Sequence, residues 1–422
     1  MACLVVSMRL LAMIAVSAVL FTGCTEKRRG TGGAAPAGPM AHAPLQTART
    51  SASTAEPGAA EPGAESKDAA ADATPGKARP LTERFRLGPI DDVGPAAPMS
   101  ATTRGVLFIS RQDRLYLAAR SGQEEFVALQ APRELFSRYG RGPALGDDHA
   151  YFVGSRGELC RGHLDSGEIE ILAPDARPGT RVSVIQAAGR DLVGYIAGRD
   201  DEALGFLWAE GARSAPPEIV RLTPEGAAAT SITLVPTSPH PHAVLLEGRT
   251  GMSPVHLRRL RVTARRVTLE ADEVVWVGPG SNSLTELVSL PAQGGRVLSL
   301  LATAKDVTHF GLAQLSLDPE SQAAVEPTWR PYPNGLDPAP VAAHAFCDGD
   351  FAVYAVPQHE KPHAPQDLVL APIVLGQLGK EEVLAHSRAY NDISVARVDG
   401  GALVAWTADH RTWAMVVGCA PK

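Results

Sequence analysis

One short apolar segment recurs seven times down this chain. The copies are Val106–Ser110, Tyr151–Ser155, Leu192–Gly198, Ala243–Gly248, Arg296–Ala302, Phe351–Pro357 and Ala402–Ala408. Each is followed by a polar loop and a second strand-like segment, as at Arg114–Ala119, Ala203–Glu210, His309–Asp318 and Trp413–Cys419. Each is also preceded by a strand and a tight turn. Val182–Ala188 stands before Gly189-Arg190-Asp191, Leu284–Pro291 before Gly294-Gly295, and Ile393–Val398 before Gly400-Gly401. Short apolar runs alternate with turn residues, and long stretches of helical period are missing. That is all-β patterning. Gly (40) and Pro (34) are frequent in the chain, as such turns require.

The repeat has a period of roughly 43–56 residues, too short for a domain and right for one four-stranded unit. A fourth strand is marked by an acidic residue followed by alternating apolar positions. It is expected at Glu125–Leu129, Glu168–Leu172, Glu218–Leu222, Glu273–Val277 and Glu382–Leu384, with a looser version around Val325–Trp329. The seventh unit has none after Cys419, yet Glu83–Leu87 carries the same signature at the other end of the region. Residues 81–422 therefore resemble the β-propeller superfamily, with seven four-stranded blades. The resemblance implies that the N-terminal strand completes the last blade and closes the ring, which removes exposed sheet edges. No subfamily signature is present. The nearest local likeness is Thr407-Ala408-Asp409-His410-Arg411-Thr412-Trp413, which resembles the Asp-box of sialidase-type propellers but is one residue short and lacks its Gly.

Ahead of the repeats, Leu10–Phe21 is an apolar run too short to span a bilayer, which takes roughly 20 residues. It ends in Phe21-Thr22-Gly23-Cys24, which resembles the cleavage site of bacterial lipoproteins with Phe in place of the usual Leu. The resemblance implies a signal peptide over residues 1–23, acyl chains such as palmitate on Cys24, and export to a membrane-anchored location. Thr25, where many retained lipoproteins carry Asp, points to the outer membrane. The first basic residue is Arg9, so Met8 competes with Met1 as initiator. From Thr22 to Arg84 there is no aromatic residue, Val or Ile. Residues 24–80 are thus expected to be a disordered Ala/Pro/Gly-rich tether. As a coil it would hold the domain on the order of 40 Å from the lipid.

The net charge of −6 argues against a nucleic-acid surface. His359-Glu360-Lys361-Pro362-His363 matches H-E-x-x-H in letters, but Pro362 breaks the helix that the zinc-protease geometry needs. His240-Pro241-His242 is a second loop pair of the same bland kind. No metal or cofactor is expected. Beyond Cys24, three cysteines lie within the repeats. Cys347 and Cys419 fall at strand ends of neighbouring blades on one face and are candidates for a disulfide; Cys160 reads as a buried small hydrophobe.

The loop after each repeated strand carries a cation: Arg111, Arg156, Arg199, Arg249, Lys305, Lys361 and Arg411. Four have an acid close behind, Asp113, Glu158, Asp200 and Asp306. Propeller topology sets these loops on one face around the central channel. Two readings follow: a basic ring for an anionic ligand, or solvated turn residues each neutralised by its neighbour. The charge pattern favours the second. The expected function is a monomeric, non-enzymatic binding module for an envelope protein or an anionic glycan. A sialidase-like hydrolase or lyase and an envelope assembly factor are the alternatives.

Overall fold

The computed structural model describes residues 81–86, 99–109, 115–119, 142–146, 148–199, 202–211, 216–248, 254–276, 284–304, 309–317, 328–331, 341–359, 364–374, 376–409 and 411–420. The signal, Cys24, the whole tether and the strand expected at Glu125–Leu129 lie outside them. Among the described residues no helix is long and apolar enough to cross a membrane.

Within residues 71–422 the strands form seven antiparallel sheets. Strand β1 (Leu81–Arg86) comes first in the chain but belongs to the last sheet. Blade 1 holds β2 (Met99–Ala101), β3 (Gly105–Ile109) and β4 (Leu115–Ala119). Blade 2 holds β5 (Ala144–Leu145), β6 (His149–Val153), β7 (Leu159–His163) and β8 (Ile169–Ala173). Blade 3 holds β9 (Ser183–Ala187), β10 (Arg190–Ala197), β11 (Leu204–Ala209) and β12 (Glu218–Arg221). Blade 4 holds β13 (Ala229–Val235), β14 (His242–Glu247), β15 (Val255–Val262) and β16 (Val267–Trp276). Blade 5 holds β17 (Leu284–Ala292), β18 (Val297–Ala304), β19 (His309–Ser316) and β20 (Thr328–Pro331). Blade 6 holds β21 (Val341–Phe346), β22 (Gly349–Pro357) and β23 (Gln366–Val374), with β24 (Gln377–Leu378) and β25 (Glu382–Ser387) both paired to β23. Blade 7 holds β26 (Tyr390–Val398), β27 (Gly401–Ala408) and β28 (Arg411–Cys419), and β1 pairs with β28.

The chain is a seven-bladed β-propeller closed by its N-terminal strand. The closing register pairs Leu81 with Cys419 and Arg86 with Met415. Among the outer strands, β16 departs from expectation. It begins at Val267 and not at Glu273, because the turn at Thr263–Arg266, closed by Thr263 N donating to Arg266 O at 2.9 Å, leads straight out of β15.

The core is divided among the blade junctions. Leu107 packs with Ala150 and Phe152 between blades 1 and 2, and Tyr151 with Val193 and Tyr195 between blades 2 and 3. The pattern continues round the ring to Met99 and Val106 of blade 1, which pack with Val398, Leu403, Ala405 and Ala414 of blade 7. The second strand of each blade shows why the repeat reads as an unbroken apolar run. In β27, Ala402, Val404, Trp406 and Ala408 face blade 6, while Leu403 and Ala405 face blade 1. A strand sandwiched on both faces has no solvent side to be polar.

Cys347, in the turn between β21 and β22, is bonded to Cys419 at the end of β28, with Cα atoms 5.3 Å apart. The bond joins blade 6 to blade 7 beside the closing pair. Cys160 is unpaired and fully buried, and burial pushes its thiol pKa up to about 12, so it behaves as a small core residue.

Candidate functional site

The repeated strands are second from the centre. The first strands, β2, β5, β9, β13, β17, β21 and β26, sit at the inner end of each sheet and touch one another from blade to blade. An inner strand has a sheet partner on one side only, so its other edge must find polar partners elsewhere. Ser183 supplies one: its Oγ accepts from the N–H of Leu234 in the next blade at 2.9 Å. The hydroxyl proton is left to donate.

Two cavities follow the inner strands. One, of about 300 Å³, is lined by Ser100, Thr102, Ser183, His344 and Ser394 among others. The other, of about 260 Å³, is lined by Thr180, Thr230, Ser231, Thr233 and Val288 among others. Both include Arg181, Val182 and Ser183, so Arg181 stands where they meet. The described lining of both contains no carboxylate.

Arg181 is delivered by the connector from β8 to β9. Arg177 N donates to Ile196 O at 2.7 Å, and Thr180 Oγ1 donates to Arg177 O at 2.7 Å. Gly179 takes φ 82° in this bend, which suits Gly. Thus pinned to β10, the connector turns Arg181 inward. Its Nη2 donates to Asp392 Oδ1 of β26 at 3.0 Å, from blade 3 to blade 7. The same oxygen accepts from Ile393 N at 3.0 Å, which fixes the carboxylate. The side chains are 35% and 14% exposed, so the pair is wet on the arginine side. His344 of β21 completes the polar lining. Burial, opposed by its bond to the Ala345 carbonyl and aided by Arg397, lowers its pKa, so the ring is neutral at neutral pH. With Nδ1–H assigned as donor to Ala345 O at 3.1 Å, Nε2 is left as an acceptor.

A guanidinium, a set of hydroxyls and a neutral imidazole can hydrogen-bond an oxyanion or a hydroxylated ligand. They do not make the pair of carboxylates that acid–base cleavage of a glycosidic bond uses. Among the described residues, no group of three or more His, Cys, Asp or Glu side chains is gathered for a metal ion.

Of the seven cations singled out in the sequence, three fall within the described residues. Arg156, Arg199 and Arg411 are exposed in or beside the turns between second and third strands, one strand back from the channel wall, and line neither cavity. Glu158 Oε2 accepts from the backbone N of Arg156 at 3.1 Å. Arg111, Arg249, Lys305 and Lys361 lie outside the described residues, as do Asp113, Asp200 and Asp306. His359 is exposed just past β22, and the rest of its H-E-x-x-H match is outside them too. His242 is a core residue: its Nδ1 is bonded to Thr237 Oγ1, and burial pushes its pKa down to about 4. Asp409, from the Asp-box-like stretch, occupies the β27–β28 turn at φ 51° and accepts from Ser387 Oγ at 2.9 Å. Arg181, Asp392 and His344 were not singled out by sequence reasoning.

Solved structures with this architecture include an oligogalacturonate lyase in complex with manganese. It is 14% identical with a TM-score of 0.51, covering 81% of this chain and 97% of that one. The Cps50 (Swd1) β-propeller domain of Myceliophteria thermophila is 11% identical with a TM-score of 0.50, covering 81% and 100%. At such identities the likeness shows the fold alone. No protein-family model matches the chain, and no curated protein matches it.

Proposed function

We propose that this chain is an exported, lipid-anchored propeller that binds an anionic glycan or the acidic surface of an envelope partner at the channel, without catalysis. One observation carries the reading. Among the described lining residues Arg181 is the single cation; it is paired to Asp392 on one side, and Ser and Thr hydroxyls line the two cavities where it stands. A planar guanidinium suits a carboxylate or sulfate, and hydroxyls suit a sugar. The exposed Arg156, Arg199 and Arg411 lie on the face where the connectors meet the inner strands, and add a long-range attraction for anions. The Phe21–Cys24 junction and the polar stretch behind it support the anchor.

Two experiments test this. Binding of the full chain to an acidic polysaccharide is measured across a salt series, beside Arg181→Ser and the triple variant Arg156→Ser, Arg199→Ser, Arg411→Ser. Arg181→Ser should weaken binding at least tenfold, and the triple variant should flatten the salt dependence. Binding that is absent, or indifferent to Arg181, refutes the site; release of shortened or unsaturated products refutes the non-enzymatic reading. Separately, Cys24→Ala should move the protein from the membrane to the soluble fraction. Unchanged, detergent-requiring association overturns the anchor.

A further inference from the structure

A second polar cluster lies at the opposite face of the ring, between blades 2 and 3, and the channel site does not use it. His149 opens β6 and His163 ends β7, and the two are direct cross-strand partners. Their rings meet edge to face, with centroids 4.6 Å apart and an interplanar angle of 79°. His149 Nε2 and His163 Nδ1 are hydrogen-bonded to each other at 3.0 Å, so one carries the proton and the other accepts it. Behind His149, its Nδ1 is 3.9 Å from Asp191 Oδ2 at the start of β10. Asp191 is itself fixed, accepting from Tyr151 OH at 2.5 Å and from Gln186 Nε2 at 3.2 Å.

We propose that His149 and His163 form an open binding site for a late first-row divalent metal ion, Cu²⁺ or Ni²⁺, that takes the place of the proton they share. Imidazole nitrogen suits these ions. At a metal–nitrogen distance of about 2.05 Å, the 3.0 Å separation closes an angle of about 95° at the metal. That is a cis pair of a square-planar or octahedral ion. A tetrahedral ion would want roughly 3.3 Å, which disfavours Zn²⁺.

The surrounding charge is mixed: burial and then Arg161 lower the pKa of His149, while Asp191 and Glu210 oppose them. Arg161 of β7 is the nearest positive group, and it is held by two carboxylates, Glu170 at 2.7 Å and Glu210 at 3.0 Å. Arg190 is turned to the carbonyls of Glu210 and Thr263. Two protein ligands leave the other coordination positions to water or to a donor from a bound molecule.

Cu²⁺ is the probe, titrated into the full chain in detergent against a competing chelator, with electron paramagnetic resonance as readout. The wild type should bind one ion with two-nitrogen hyperfine structure, and binding should raise its melting temperature. His149→Gln and His163→Gln should each lose at least tenfold in affinity together with the nitrogen pattern. The exposed His359→Gln should lose neither. Copper affinity and spectra unchanged in both blade 2 variants overturn the proposal. So does a wild type that binds no more tightly than the double variant. Neither result bears on Arg181 or on polysaccharide binding.

Discussion

Ser394 Oγ on the inner strand of blade 7 accepts a hydrogen bond from the backbone N–H of Ala101 on the inner strand of blade 1, at 2.9 Å. Ser183 makes the same bond to Leu234 between blades 3 and 4, at the same distance. The seam where the chain closes is thus joined at its centre as an ordinary junction is. Further out it is packed by Met99 and Val106 against Leu403 and Ala405, and at the rim blade 7 is finished by β1.

Closure gives the first prediction. Deleting through Arg86 removes β1 and bares the edge of β28, so the melting temperature should fall by several degrees. Deleting residues 25–78 should leave it unchanged. Equal melting temperatures for the two truncations, followed by circular dichroism, would refute the closing strand.

The bond between Cys347 and Cys419 spans a sequence separation of 72. The chain-entropy account gives about 4 kcal/mol for a loop of that size. Reducing agent, or Cys347→Ser with Cys419→Ser, should lower unfolding stability in urea by that order. A shift under about 1 kcal/mol would show that β1 and the blade 6–blade 7 core hold the seam unaided.

His242 sets a pH dependence. Burial, then the nearby Arg259, pushes its folded pKa down to about 4, against an ordinary 6.5. Between these values the unfolded chain binds more protons than the folded one, so stability falls as pH drops from 6.5 toward 4. The size is on the order of 3 kcal/mol. Asp350 works the other way: burial raises it to about 6, so its contribution is present at low pH and is lost as pH rises through 6. Urea unfolding at pH 7.5 and pH 5 should show a smaller acid loss for His242→Gln and a larger one for Asp350→Asn. Parallel slopes in all three proteins would count against both assignments.

Gly401 opens β27 where blade 7 backs on itself. A Cβ there would sit 1.9 Å from the carbonyl oxygen of Val417. Gly401→Ala should cost about 3 kcal/mol, since backbone must move. Gly189, with φ 71° and nothing within 4 Å, should accept Asn with a loss under about 1 kcal/mol. Denaturant midpoints of the two variants separate the cases.

The fold was legible in the second strands because both their faces are buried, as Val404 and Leu403 show. The closing strand was legible because Glu83–Leu87 repeats the alternation of the other outer strands. Inner strands carry less pattern. One flank faces a channel, and β5 is reduced to Ala144–Leu145. The candidate site was not legible. Arg181 comes from a connector with no counterpart motif, and its partner Asp392 is 211 positions away. The loop cations form a regular series in the sequence, and the three that are described, Arg156, Arg199 and Arg411, stand at the turns after second strands. His149 and His163 face each other across one hairpin, but Asp191 joins them only through the packing of blade 2 on blade 3.

The pairing of Leu81 with Cys419 also bears on how the molecule is made. A chain synthesised from its N-terminus produces β1 before the blades and its partner β28 after the other described strands. Until then β1 has no sheet to join, and every completed blade waits with an open neighbour at one end of a growing stack. No partial chain that stops before blade 7 holds the partner of β1. The ring's most exposed moment comes late, when almost all of the apolar second strands exist and the strand that will seal them is still unpaired.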